Sequence, residues 1–430
     1  MKRNLLKRIG AVALAVAVSL TMGTAAFAAD TGVITPAEGN TLKITKEILV
    51  YNDENITVYG PGVTFNYGIE PATLDEAATV TDTEGKSITV KPGVADGVNL
   101  TADSKAEFEK NKPINVTANN PASITDTITA TVVLDKFTAA GVYRYKITEQ
   151  KPSDFVPVGL TRPEGYKDTR FLDVYIANDG DGLKISGYVL FLADDATMNI
   201  NGRTAASNQI TGKTTGFVDN YDKDIDGEAG TEGTGMGDKY YTYNYTINKT
   251  IAGSLADKTH AFPFSVATAG AVEGQNFTAS TTGTTLGGIT GGKAAIGTAV
   301  TANLADGNEL AIKGLPANTT VEVTETNNAP DAYTVGAVDA LGTTEKVLVE
   351  DTVVQNGKTA KTAANAVSAY ANNMTTKPDA SLGTTTFTNT LDEVSPTNVV
   401  MRFAPYLFIL GAAIVLLVLM RRRKAHNEAE

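Results

Sequence analysis

Six residues, three in each half of the sequence, carry the types and spacing for one kind of chemistry. Lys46 lies within Ile44-Thr-Lys-Glu-Ile48, and Lys249 within Ile247-Asn-Lys-Thr-Ile251. Glu149 closes Tyr145-Lys-Ile-Thr-Glu149, and Glu325 closes Val321-Glu-Val-Thr-Glu325. Asp219 stands in Phe217-Val-Asp-Asn-Tyr221, and Asn389 in Phe387-Thr-Asn-Thr-Leu391. Side chains two apart on a strand share a face, so each of these polar groups projects from an apolar face. An unpaired charge there is too costly to leave. A buried ion pair is one resolution, and a covalent bond is another. Burial lowers the pKa of a lysine and raises that of a glutamate, so both become neutral. A neutral amine attacks the side-chain carbonyl of Asn or Asp. The protonated Glu hydrogen-bonds that carbonyl and shuttles protons, and fixed geometry supplies the effective molarity. The product is an isopeptide bond, with ammonia released from Asn389 or water from Asp219. Strand parity puts Asn220 on the face opposite Phe217; a local bulge would exchange the two and make Asn220 the acceptor.

The elements that must position these residues read as strands. Period-two alternation rich in β-branched and aromatic residues marks 41–48, 141–148, 240–247 and 319–324, with Gly, Asn, Asp and Pro in the breaks. Ala360–Ala371 is the one helical candidate, on alanine content alone. Order is kept between the halves: Lys, then an aromatic pair (Phe65 and Tyr67, or Phe262 and Phe264), then Glu, then Asp or Asn. Conserved order with loops of different length is the pattern of tandem domains. Short strands and few helices suggest two antiparallel β-sandwiches. Between the halves, residues 223–238 are rich in Gly and acidic residues and read as a linker. Asp222, Asp224 and Asp226 resemble the start of a calcium loop, but its twelfth position is Gly233 where Glu is required. The expectation is therefore a solvated linker and no metal.

Composition excludes several functions. There is no cysteine, hence no disulfide, thiolate metal site or Cys nucleophile. Of two histidines, His260 and His426, the second lies in a charged tail. One histidine does not furnish a Ser-His-Asp triad or a multi-histidine metal centre. The formal net charge is −12, and it becomes more negative once the basic ends are set aside. Such a surface repels nucleic acid. No turnover site and no cofactor site is legible, so the chain reads as a non-enzyme whose bond chemistry happens once per domain.

The two ends place the chain. A basic start, an apolar stretch over 11–20 and Ala26-Phe-Ala28 form a secretory signal peptide over 1–28. Residues 403–420 are uncharged and largely apolar, and as a helix would span about 27 Å at 1.5 Å per residue. Arg421, Arg422, Arg423 and Lys424 follow and stay on the cytoplasmic side. The bulk of the chain is thus expected outside the cell.

Through I-x-K-x-I, V/I-T-E and F-x-N/D, together with both ends, the sequence resembles the backbone pilins of Gram-positive bacteria, built from streptococcal pilin isopeptide-linkage domains. That resemblance implies an all-β fold of two immunoglobulin-like sandwiches, 41–222 and 239–392, after an N-terminal extension over 29–40. It implies a Lys on the first strand of each domain, an Asn on the last and an assisting Glu between them. Residue by residue, these are Lys46, Glu149 and Asp219, then Lys249, Glu325 and Asn389; Asp219 departs from the usual Asn. Residues 393–398 resemble a sortase sorting signal, with Pro396, Thr397 and Asn398 standing where LPxTG has its core. By that resemblance a sortase cleaves after Thr397. In related shaft pilins the lysine that receives the next subunit precedes the last strand of the N-terminal domain, a place Lys213 occupies here, with Lys223 and Lys167 next. The implied function is a sortase-polymerised, wall-anchored shaft subunit, its partners being sortase, neighbouring pilin subunits and peptidoglycan. The alternative is an ancillary pilin or adhesin displayed singly and binding a host or microbial surface ligand.

Overall fold

A computed structural model of the protein describes residues 39–73, 79–81, 87–101, 104–118, 120–163, 166–180, 182–192, 213–218, 237–270, 273–329, 333–339, 345–349, 352–355, 358–361, 365–371 and 383–391. Among them there is no α-helix, only the short 3-10 turn Leu134–Lys136. The signal peptide, the acidic run from Asp222, the sorting signal and the apolar stretch 403–420 lie outside the described residues. No described helix is long and apolar enough to cross a membrane.

The first core lies between two sheets. Strand Thr41–Tyr51 pairs antiparallel with Ala122–Val132, which also carries Val98–Leu100. Alternation does the sorting: Leu42, Ile44, Lys46 and Ile48 are buried while Lys43, Thr45 and Glu47 face outward. The facing sheet contains Val63–Pro71, Gly141–Gln150, Thr169–Asp179 and Gly182–Leu192. Ile44 and Ile48 from one side meet Phe65, Ile147 and Leu172 from the other. Arg144 and Asp173 sit opposite each other within the facing sheet and form a buried two-point ion pair, Nε to Oδ1 at 2.5 Å and Nη2 to Oδ2 at 2.7 Å.

The second core repeats this plan. Strand Asp238–Ala252 runs antiparallel to Glu309–Pro316 and parallel to Thr384–Leu391. Across from them lie Phe262–Ala269, Val300–Leu304, Thr320–Thr326 and Asn365–Ala371. Ile247, Ile251, Phe264, Val323 and Phe387 fill the space between. The helical expectation for Ala360–Ala371 is corrected here. Asn365–Ala371 is a strand with partners on both sides, Thr320–Thr326 and Glu345–Val349. Two ladders of backbone hydrogen bonds outweigh the small helix preference of alanine.

The halves share one strand. Tyr240 belongs to the first core and Tyr245 to the second, yet both lie in Asp238–Ala252. The N-terminal end of that strand pairs parallel to Thr41–Tyr51, with Ile48 opposite Asp238 and Tyr51 opposite Tyr241. Just before it along the same edge, Gly216 and Phe217 pair with Thr45 and Lys46. A Cβ on Gly216 would lie 2.0 Å from Thr45 O, so glycine is required for that approach. Gln275 ties the halves again, donating to Tyr59 O at 3.0 Å and Gly60 O at 2.7 Å.

Candidate functional site

In the second half the three residues named from sequence meet. Lys249 comes from the shared strand, Asn389 from its parallel neighbour and Glu325 from the facing sheet. Lys249 Nζ donates to Asn389 Oδ1 at 2.6 Å and lies 3.3 Å from each Glu325 oxygen. All three are buried. Phe262 lies under the amine, 4.6 Å from Nζ to the ring centroid, and Phe264 meets Phe387 edge-on at 5.1 Å. This apolar setting dictates the protonation. Burial brings the Lys249 amine down to about 8, against the opposing pull of Glu325. Burial likewise pushes the Glu325 carboxyl up, with Lys249 and the Asn389 amide offsetting part of the rise. Among the described residues, buried Asn389 Nδ2 has no hydrogen-bond partner of good geometry. The amide presents its carbonyl to the amine and turns its nitrogen toward Glu325 without a well-formed hydrogen bond.

The first half brings Lys46 and Glu149 together in the same way. Glu149 enters from the facing sheet opposite Tyr67, as Glu325 enters opposite Phe264. Lys46 Nζ lies 3.0 Å from Glu149 Oε2 and 4.3 Å from the centre of the Phe65 ring. Asp219 and Asn220 lie outside the described residues. The carboxylate that meets Lys46 is Asp238, Nζ to Oδ2 at 2.6 Å, both side chains fully buried. Arg162 clamps that carboxylate, Nε to Oδ1 and Nη2 to Oδ2 both at 2.7 Å, and also donates to Glu149. Tyr67 and Tyr166 donate to Glu149 at 2.9 and 2.8 Å. Burial opposes ionisation of Asp238, but Lys46 and then Arg162 outweigh it and hold the carboxyl below its usual range.

Asp238, Arg162 and Tyr166 escape sequence reasoning. Asp238 had a signal, since it shares alternation with Tyr240 at the head of a Tyr-rich strand. Its face relative to Lys249 cannot be counted through, because the strand has an irregularity between Tyr243 and Asn244. Arg162 and Tyr166 sit on a connection between strands, outside the repeated motifs. Lys213 opens the short strand Lys213–Thr214, opposite Phe191. Among described residues no cluster of metal-ligating side chains is present.

A family described as a domain of unknown function, DUF7601, matches residues 243–390. No curated protein matches the chain. Among solved structures, the chain is similar to the major pilin from Streptococcus pyogenes, at 18% identity and TM-score 0.43, over 83% of this chain and 99% of that one. A second Streptococcus pyogenes major pilin, T3.2, gives 17% identity and TM-score 0.40, over 83% and 99%. A Mobiluncus mulieris adhesin, described as containing disulfide, isopeptide and ester cross-links, gives 10% identity and TM-score 0.21, over 82% and 100%.

Proposed function

We propose that the chain is a pilin-type subunit of the cell surface whose β-sandwich domains, immunoglobulin-like in plan, are locked by bonds they form themselves. The observation that carries this reading is the buried contact of Lys249 Nζ with Asn389 Oδ1 at 2.6 Å, beside Glu325. A lysine brought to the carbonyl of an amide gains no ion pair from it, so charge pairing does not explain the choice of Asn. Nucleophilic attack does. The Lys249 nitrogen bonds to Asn389 Cγ, the bond from Cγ to Nδ2 breaks, and ammonia leaves. Glu325 takes the proton that the amine sheds and delivers it to the departing nitrogen. The buried site excludes competing water, and the strands hold the reactants in place.

Assembly is the outward part of the proposal. A sortase cleaves after Thr397 and passes the acyl group to Lys213 of the next subunit, or to peptidoglycan at the base. The test has two parts. The intact mass of the purified protein should lack one ammonia for the Lys249–Asn389 bond, and a mass with no such deficit refutes the covalent reading. Immunoblots of wall extracts should show a ladder of covalent multimers. A single wall-linked band would instead make the chain a singly displayed pilin or adhesin.

A further inference from the structure

The two sites use the same register. In the second half Lys249 stands opposite Phe387, and the acceptor Asn389 stands opposite Ile251. In the first half Lys46 stands opposite Phe217, and the place opposite Ile48 is held by Asp238. Continuing the strand from Phe217 by two residues would bring Asp219 to that place, but the chain returns through Asp238 to fill it. Register and distance thus agree on the same residue.

We propose that Lys46 bonds to Asp238, not to Asp219 or Asn220, and that Arg162 holds the Asp238 carboxylate for attack. This rests on the isopeptide reading above and changes its first-half acceptor. Glu149 takes a proton from the Lys46 ammonium, freeing the nitrogen lone pair. The nitrogen bonds to Asp238 Cγ, and the developing charge on the Asp238 oxygens falls on the Arg162 guanidinium. One bond from Cγ to oxygen breaks, and that oxygen leaves as water with two of the three ammonium protons, one of them returned by Glu149. The buried ammonium and carboxylate are both consumed. Arg162 and Glu149 remain as a balanced pair, so no charge is stranded in the core. The second site needs no such arginine because its acceptor is already a neutral amide.

The bond would close an interval of 192 residues and join the first strand of the chain directly to the strand that carries Lys249. Residues 219–236 would then lie inside a closed loop.

Tryptic mapping of the full chain tests this directly. Cleavage after Lys223 puts Asp219 and Asn220 in peptide 214–223 and Asp238 in peptide 224–239. The Lys46 peptide should be found joined to 224–239, with one water lost. If it is joined to 214–223, the acceptor assignment is wrong while the covalent reading stands. If Lys46 is free and Lys249 is linked, the first-site bond is refuted and the second-site chemistry survives. If both lysines are free, both proposals fall. Arg162→Gln should slow first-site linking about a hundredfold while the Lys249–Asn389 link still forms, which reports that the shared strand is seated. First-site linking at the wild-type rate in Arg162→Gln refutes the role given to Arg162.

Discussion

Lys249 and Asn389 touch although they are not partners in the strand pairing. Lys249 stands opposite Phe387 and Asn389 opposite Ile251; the contact at 2.6 Å is diagonal. On one face of paired strands the diagonal neighbour lies within reach only of a long side chain, and lysine has that length. The diagonal also explains the phenylalanine two residues before the acceptor. Phe387 stands opposite Lys249, and Phe264 packs edge-on against it from the facing sheet. In the first half Tyr67 takes the place of Phe264, and its hydroxyl donates to Glu149. The first site is the more highly charged of the two because Asp238 and Arg162 stand where the second has the neutral Asn389 amide and no arginine.

The two acids should therefore be needed for different losses. Glu325→Ala is expected to restore the mass of one ammonia and Glu149→Ala the mass of one water, each leaving the other deficit in place. Intact-mass spectrometry of the two variants reads this directly. A deficit that persists in its own variant would remove that glutamate from the chemistry.

Asn389→Ala keeps Lys249 and Glu325 but removes the acceptor of the proposed bond. Losing a tether across 140 residues should lower stability by about 5 kcal/mol, by analogy with a disulfide of that loop length. It should also add a pH dependence. The free Lys249 amine titrates near 8 when folded and near 10.5 when unfolded. Between those values the unfolded chain holds a proton that the folded chain has released. Stability should rise with pH across that window, by up to about 1.4 kcal/mol per pH unit, and be lost as pH falls towards 8. Thermal melts of the variant from pH 8 to 10 check this against the wild-type protein, whose amine the proposed bond consumes and whose curve should lack that slope.

Asp173→Ala should be among the most damaging changes far from either site. It leaves the Arg144 guanidinium, 1% exposed, without its carboxylate. The expected cost is about 3–5 kcal/mol, seen as a lower melting temperature of the whole protein. Replacing both residues with apolar ones of similar volume should recover most of it. A single variant as stable as the wild type would mean that the pair is solvated in solution.

Lys213→Arg should remove the multimer ladder yet leave the monomer attached to the wall. Thr397→Ala should abolish wall attachment and leave the protein in the membrane fraction, held by residues 403–420. A ladder that survives in Lys213→Arg moves the acceptor to another lysine, Lys223 or Lys167 being the next to replace.

Strand type and the second site were legible because both rest on short-range alternation. Ile247, Lys249 and Ile251 point inward as spacing requires. Lys46 and Glu149 were legible for the same reason. Arg162 and Tyr166 were not, because a connection has no period from which to read facing. Asp238 was missed because Gly-rich, acidic surroundings look like linker, and the parallel partner that gives it a place, Ile48, is distant in sequence. Ala360–Ala371 failed through composition, which cannot register that Thr320–Thr326 and Glu345–Val349 would flank it.

The shared strand Asp238–Ala252 also bears on how the protein can be divided. A fragment ending at residue 218 would keep most of the first core but lose Asp238 and Tyr240. Lys46 would then be buried without the Asp238 carboxylate, and Ile48 to Tyr51 would present unpaired backbone along an open sheet edge, a template for aggregation. A fragment beginning at 239 would hold the second site but expose Tyr240, which packs in the first core. The apparent boundary in the sequence is therefore a poor place to cut, and the two halves should melt as one cooperative unit.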